Sequence, residues 1–356
     1  MKRRQKLWCT MIASVATAGV LLMGCGGGQT ASDSGSATTN APNSENPIEL
    51  KLCNLFDEGH PVTNQAETFA ETIEKETDGA IKIKIYNNST LAEPVQAFEE
   101  TSRGTIDIDL NQPYSTYGNF FEVIQWPYLA SNYEEAEQVY GNDSWLHNKF
   151  EEMCAEHNIK FLAFQLVGFN GMGFAEMPDN YNVPGADKGI LLRCPPIEVT
   201  DTWATDMGFR TTSIAYSDLY TALQTGACDG WTGGQPTVNY QSFRDVIHYY
   251  CQYNSGFEVN CLAMNNDVWE SLSDEQKEIV QKAADDLFTQ SLEDIKVDTQ
   301  HYIDEMRDFG IEILELSDEE VEAFAKYTRE TTYPKYKELI GEEAYNELME
   351  GLGLAE

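Results

Sequence analysis

The feature that most constrains the fold of this chain is a pair of segments with alternating apolar residues, one before and one after an amphipathic helix in the sequence. The alternating segments are residues 48–52 and 81–85, and each reads as a short, half-buried strand. Between them Ala66, Phe69 and Ile73 recur at helical spacing. Two strands joined through a helix pair in parallel, and the helix then covers one face of the sheet. The chain is therefore predicted to be an α/β protein.

The same order of helix and strand recurs further along the chain. Two short helices stop at Gly104 and Gly226, and each glycine is followed three residues later by an aspartate. We therefore predict two lobes of similar topology. The expected helices are 94–102 and 217–223, the latter capped by Ser217, and the further strands are 106–110, 159–167, 189–193 and 227–231.

The C-terminal third is predicted to be helical. Ser273 and Gln276 form a capping box, and apolar residues keep a helical period from there to Gly310. A helix of about 35 residues is roughly 50 Å long, which exceeds one small lobe, so it is expected to run along both. A second capping box at Ser317 and Glu320 opens another helix.

The first residues resemble an export sequence rather than a part of the fold. Residues 1–24 combine basic residues with an apolar run that is short for a membrane span. The run ends in Leu22-Met23-Gly24-Cys25, the pattern of a lipoprotein box. We expect lipidation of Cys25 and a flexible linker over 25–47, hence a protein anchored to the outer face of the cell membrane. An ordinary secretory signal with a coincidental cysteine is the alternative.

Composition excludes several functions. The formal net charge of −36 disfavours nucleic acid as a partner, and 42% hydrophobic residues are enough for large cores. No nucleophile, zinc or phosphate-loop motif occurs, and the five histidines lack metal-ligand spacing. We therefore expect no enzyme activity, no metal and no cofactor.

Six cysteines follow Cys25, and their spacing shows no zinc pattern. An extracytoplasmic location permits disulfides, and Cys251 and Cys261, ten residues apart, are the pair that could form one. A body with this much core does not need a disulfide, so whether any cysteines pair stays open.

A cation at the end of an expected strand is the most specific site candidate. Arg193 follows an apolar strand and precedes Cys194-Pro195-Pro196. Ligands of open α/β sheets bind beyond the carboxyl ends of strands, where a guanidinium can grip a carboxylate with two hydrogen bonds. A surface arginine paired with an acid is the alternative. Other aromatic and polar candidates at element ends are Phe56, Asn111, Tyr114, Phe169, Asn170, Tyr216 and Trp231.

Taken in order, several segments resemble the DctP-type substrate-binding proteins of TRAP transporters over nearly all of residues 48–330. The matching pieces are His60-Pro61, Arg103-Gly104-Thr-Ile-Asp107, Trp126-Pro127-Tyr128-Leu129, Gly189-Ile-Leu-Leu-Arg193, Asp229-Gly230, Met264-Asn265 and Trp269-Glu-Ser-Leu272.

The resemblance implies a two-lobed periplasmic binding protein of type II, in which each lobe is a sheet flanked by helices. Lobe I would hold 48–170 plus about 259–298, and lobe II 171–258 plus about 299–356. A small organic acid would bind between the lobes, with Arg193 holding its carboxylate, and closure would deliver it to membrane permease subunits driven by an ion gradient.

Two departures from the family pattern bear on the ligand. The family often places Glu-Asn-Pro after Asp-Gly, but here Gly233 stands where the Asn is expected, and Trp231 or Gln235 would substitute. Residues 170–174 carry no second arginine. We therefore expect a monocarboxylate with an apolar or aromatic body, walled by Trp231, Tyr216, Phe169 and Met172. A binding lipoprotein of an ATP-driven importer, and a surface enzyme or adhesin, are the competing interpretations.

Overall fold

The computed structural model describes residues 42–113 and 115–355, and the chain from Pro42 onward is one compact unit. Its strands are β1 (Ile48–Asn54), β2 (Ile81–Tyr86), β3 (Ile108–Asn111), β4 (Ile159–Phe169), β5 (Gly171–Phe174), β6 (Leu191–Cys194), β7 (Arg210–Ser213), β8 (Gly230–Gly234), β9 (Tyr249–Cys251), β10 (Phe257–Asn265) and β11 (Glu312–Ile313).

The helices cover the faces of the sheets. They are α1 (Pro61–Glu76), α2 (Pro94–Ser102), α3 (Tyr133–Tyr140), α4 (Trp145–Ala155), α5 (Glu198–Asp206), α6 (Tyr216–Thr225), α7 (Pro236–Val238), α8 (Asn266–Ser271), α9 (Asp274–Phe309), α10 (Asp318–Thr331), α11 (Tyr333–Ile340) and α12 (Glu342–Gly351). Two 3-10 turns, Ser115–Tyr117 and Asn119–Gln125, follow β3, and a π-helical turn, Asn239–Phe243, follows α7.

The strands form two sheets with one plan. The first sheet has the order β2-β1-β3-β10-β4, and the second has the order β11-β9-β5-β8-β6-β7. In the first, β1 pairs in parallel with β2 and β3, and β10 runs antiparallel beside β3. In the second, β6 pairs in parallel with β7 and β8, and β5 runs antiparallel beside β8. The two-lobed α/β fold predicted from the sequence is confirmed.

The chain passes between the sheets at two neighbouring places. Strands β4 and β5 belong to different sheets and are separated only by Asn170, and residues 252–256 likewise separate β9 from β10. The two crossings are tied together, because the Asn170 amide donates to the Gly256 carbonyl at 2.8 Å and the Ser255 amide to the Asn170 carbonyl at 3.2 Å.

The long helix α9 spans both lobes, as expected. It has 36 residues, begins with the capping box of Ser273 and Gln276, and ends at Gly310, whose φ of 104° is a left-handed cap. Leu292 packs in the core of the first sheet, and Met306 packs in a core of the second.

The last helices divide between the two cores. Phe324 of α10 packs in the core of the second sheet. Tyr333 and Tyr336 of α11 pack against Trp126 of the first core, with ring centroids at 5.4 and 4.9 Å. The lobe boundaries given above stay a prediction, since this C-terminal segment contacts both cores.

Two local details differ from the sequence expectations. Helix α6 begins at Tyr216 with Ala215 as its N-cap, so the predicted capping by Ser217 was wrong. Strand β8 begins at Gly230, three residues later than predicted.

The six cysteines of the described residues are free and buried, with Cys251 and Cys261 in different cores.

The expected signal peptide, lipidated Cys25 and most of the linker fall in residues 1–41, outside the described residues, as does Tyr114. Within the described ranges no helix combines the length and apolarity needed to cross a membrane.

We predict that Leu292→Ala lowers the free energy of unfolding by about 2–5 kcal/mol, because it removes a buried side chain from the core under α9. Val297, on the same helix and 69% exposed, provides the matched control, and Val297→Ala should change stability by less than about 0.5 kcal/mol. Urea unfolding measures both. Equal effects of the two substitutions would contradict the packing of α9.

Candidate ligand-binding site

A cavity of about 210 Å³ lies where strands of both sheets end. Gln112 follows β3 of the first sheet, and Pro195 and Gly233 stand at the ends of β6 and β8 in the second. Asn170 and Gly256 of the crossing segments and Glu258 of β10 line the same wall. This is the position at which open α/β sheets bind small ligands.

Arg193 is buried beside this cavity. Its backbone pairs with Trp231 and Thr212 inside the second sheet, and only 4% of the residue is exposed. The Arg193 Nε donates to the Ile214 carbonyl oxygen at 2.8 Å. The residue does not itself line the cavity, but Pro195, two positions later, does.

The charge of Arg193 has no anionic partner among the described residues. Burial lowers the pKa of its guanidinium, and the groups acting against this are Cys194, Cys228 and Tyr216, none of them a carboxylate. A buried cation is usually paired, because desolvation is costly. The position can therefore accept an anion from outside the chain.

Tyr216 lies next to Arg193, at the first position of α6. The residue is 55% exposed, and its ring lies 6.3 Å from the ring of Trp231 and 5.9 Å from that of Phe243. Burial raises the pKa of the Tyr216 phenol, the charge of Arg193 opposes this, and the charge of Glu258 adds to it. The phenol is thus in electrostatic reach of both charged groups.

Three other expected wall residues are enclosed in the cores. Trp231 is 1% exposed and donates from Nε1 to Asn239 Oδ1 at 3.0 Å. Phe169 is 1% exposed and packs edge-on against Phe257 at 4.4 Å. Met172 is fully buried in the core of the second sheet. Their side chains present almost no surface to the cavity in this structure, because the strands turn them inward.

The candidates at the end of the first sheet have other neighbours. Asn111 accepts from the Leu55 amide at 3.0 Å and donates to Asp109 Oδ1 at 2.5 Å, so it fixes the strand ends. Phe56 stacks on His60 with ring centroids 4.3 Å apart. Gln112, next to Asn111, is the residue of this group that lines the cavity.

A hydrogen-bonded group joins the crossing segments. Gln235 Nε2 donates to Asn170 Oδ1 at 3.3 Å and to Glu258 Oε2 at 2.6 Å. Burial raises the pKa of Glu258, and the bond from Gln235 opposes that rise. Sequence reasoning missed Glu258, because nothing distinguishes one glutamate among 59 acidic residues.

Comparison with known proteins agrees with this geometry. The profile of the family named bacterial extracellular solute-binding protein, family 7 (DctP), matches residues 54–339. The chain belongs to this family. It is similar to the sialic acid-binding periplasmic protein SiaP of Vibrio cholerae, with 24% identity over 81% of this chain and 87% of that protein.

Two further proteins are similar to this chain. The C4-dicarboxylate-binding periplasmic protein DctP of Rhodobacter capsulatus is 25% identical over 80% of this chain and 85% of its own length. The structure of a TRAP periplasmic solute-binding protein from Ochrobactrum anthropi matches with a TM-score of 0.76 at 22% identity, covering 86% of this chain and 95% of that one. The resemblance to TRAP substrate-binding proteins is confirmed.

We predict that the free energy of unfolding falls as pH rises from about 4 to about 7 because of Asp109. Burial raises the pKa of Asp109 to about 7, whereas an unfolded aspartate titrates near 3.9. Between these values the folded state holds a proton that the unfolded state has released. The stabilisation is therefore complete below about pH 4 and is lost above about pH 7, on the order of 4 kcal/mol in all.

Asp109→Asn should remove this dependence, because an amide oxygen still accepts from Asn111. The variant should be more stable than the wild type at pH 8, and the difference should shrink towards pH 4.5, as measured by urea unfolding. Asp308→Asn removes an exposed charge and is the control. A constant difference between Asp109→Asn and the wild type at all pH values would refute the assignment.

Proposed function

We propose that this protein is the extracytoplasmic receptor of a TRAP transporter, and that it binds a small organic acid with Arg193 as the partner of the ligand carboxylate. The observation that carries the proposal is a 4% exposed arginine with no carboxylate partner among the described residues of a chain with 59 acids.

The energetics favour an anionic ligand. A guanidinium presents planar pairs of N–H donors, and the Arg193 Nε uses one donor on Ile214, which leaves the two terminal nitrogens to bond a carboxylate. Inside a partly closed site such a pair is less screened than at the surface. Among the relatives, SiaP and DctP are named for sialic acid and C4-dicarboxylates, which are both carboxylic acids.

The cavity leaves room for the body of the ligand. Gly233 stands where the family often has an asparagine, and no atom lies within 4 Å of the point at which its Cβ would stand. Neither proposed substitute reaches this space, since Gln235 bonds Asn170 and Glu258 and Trp231 bonds Asn239. This supports a single carboxylate on the ligand, with its body beside Gly233.

Binding would act on the angle between the lobes. The ligand would contact the second sheet through Arg193 and the first through Gln112, and contacts available only in the closed form shift the population towards it. Asn170 and residues 252–256 are the crossing segments that would bend. The closed form would be the one that the permease subunits recognise.

We predict that Arg193→Ala weakens binding of the cognate acid by about 100-fold or more, on the order of 3 kcal/mol, because it removes the charge that the ligand carboxylate needs. The ligand is first found by thermal shift with a panel of organic acids, and affinity is then measured by calorimetry. Arg210→Ala, on the neighbouring strand and exposed, is the matched control and should bind like the wild type.

Unchanged affinity in Arg193→Ala would refute the site. Chemical conversion of a bound acid would instead favour the surface-enzyme interpretation, and a gene for an ATP-driven permease beside this one would favour the ABC importer.

We further propose that Cys25 carries a lipid anchor on the outer face of the membrane. Cys25→Ser should then move the protein from the membrane fraction to the soluble extracytoplasmic fraction, because the thiol that takes the lipid is gone. Cell fractionation with an antibody measures this. Cys9→Ser, which lies inside the apolar run, is the control and should leave the distribution unchanged. A soluble wild-type protein would contradict the anchor.

A further inference from the structure

Glu258 is a half-buried acid in the wall of the cavity, and no cation of the described residues forms an ion pair with it. It lies at the second position of β10, next to the crossing from the second sheet, and it faces the same cavity as Asn170 and Gln112. Its Oε2 accepts from Gln235 at 2.6 Å. The groups that shift its pKa are burial itself and this one bond, and no lysine, arginine or histidine of the described residues contributes.

A carboxylate in this position favours a donor from the cavity. An ionised carboxylate offers about four acceptor positions, and Gln235 occupies one of them. Taking a charge partly out of water without a counter-charge costs free energy, whereas a positively charged donor regains much of that cost. The Gln235 amide holds the carboxylate in place. Its own position is fixed because the same nitrogen, Nε2, also donates to Asn170 Oδ1.

Arg193 and Glu258 belong to one site but do not pair with each other. Both groups act on the pKa of the Tyr216 phenol, which Arg193 lowers and Glu258 raises. The bonds of the two side chains go elsewhere, since Arg193 Nε donates to the Ile214 carbonyl oxygen and Glu258 Oε2 accepts from Gln235 Nε2. The site therefore holds two separated, opposite charges, each without an ionic partner among the described residues.

We infer that the ligand carries a cationic nitrogen as well as a carboxylate, as an amino acid or a betaine does, and that Glu258 is the residue that selects for it. This inference rests on the proposed function, because Arg193 must hold the carboxylate for the nitrogen to reach Glu258. It narrows the monocarboxylate expected from the sequence to one that also carries a cationic nitrogen, that is, to a zwitterion.

Glu258 also explains how other acids are rejected. A dicarboxylate held by Arg193 would place its second negative charge in a cavity that already contains an acid and offers no second arginine. Like charges brought together in such a site disfavour binding, so the repulsion adds to selectivity. A 2-hydroxy acid has no positively charged group for Glu258 to attract.

The test compares ligands that differ only in this group. Three matched series are screened by thermal shift and then by calorimetry. The first contains both enantiomers of α-amino acids and their N-trimethyl betaines. The second contains the 2-hydroxy acids of the same carbon skeletons, and the third contains the corresponding dicarboxylates. The wild-type protein should bind a member of the first series at least 10-fold more tightly than its hydroxy and dicarboxylate counterparts.

Variants then assign the preference to Glu258. Glu258→Gln keeps the shape and should weaken binding of the zwitterion at least 10-fold while leaving the hydroxy acid unchanged or improved. Glu67→Gln removes the same charge from the exposed face of α1 and should behave like the wild type. Arg193→Ala should lose both ligands. Circular dichroism melting checks that each variant is folded.

The failures are distinguishable. This inference is overturned if the wild type prefers a hydroxy acid or a dicarboxylate, or if Glu258→Gln keeps the preference of the wild type. The receptor proposal stays intact in either case, provided that Arg193→Ala still abolishes binding. If no acid of any series binds, both proposals fail. If Glu258→Gln does not fold, the preference of the wild type alone decides, since it needs no variant.

Discussion

The account depends on one uncompensated charge, the guanidinium of Arg193. The second sheet buries this side chain almost completely and gives it one carbonyl bond, to Ile214, but no carboxylate among the described residues. Acidic side chains outnumber basic ones 59 to 23 in the chain, so an arginine without an acidic partner is against expectation. Because no carboxylate of the protein has to be displaced from an unpaired cation, the attraction between that cation and a ligand carboxylate can contribute to binding.

The architecture explains how such a site can open and close. The chain crosses between two sheets of the same strand plan at Asn170 and at residues 252–256, and α9 packs against the cores of both. The crossing segments also contribute to the wall of the cavity, because Asn170 lines it together with Glu258 at the start of β10, and Gln235 donates a hydrogen bond to each of these two residues. In the proposed mechanism the residues that bend and the residues that contact the ligand are thus neighbours, so that ligand contact would bias the angle between the lobes.

Much of the fold could be predicted from the sequence because it is written in local patterns. The alternation in 48–52 and 81–85, the capping box at Ser273 and the glycine at 310 each specify backbone geometry within a few residues. The start of α6 was misplaced, because Ala215 caps it without a side-chain bond and so leaves no mark in the sequence.

The site was less predictable, since it depends on which way side chains point. Trp231, Phe169 and Met172 lie in strands near the cavity, but their side chains are buried in the cores, whereas Asn170 lines the cavity. Glu258 could not be singled out at all, because the role proposed for it depends on its place in the cavity wall and on the lack of a cation beside it among the described residues, and neither property is visible in the sequence of an acidic chain.

A crystal structure of the protein with its bound ligand tests the central claim most directly. The account predicts a carboxylate whose two oxygens lie about 2.7–2.9 Å from the two terminal nitrogens of Arg193, inside the cavity between the sheets. A ligand whose acidic group is bound elsewhere, with Arg193 still bonded only to Ile214, would contradict it.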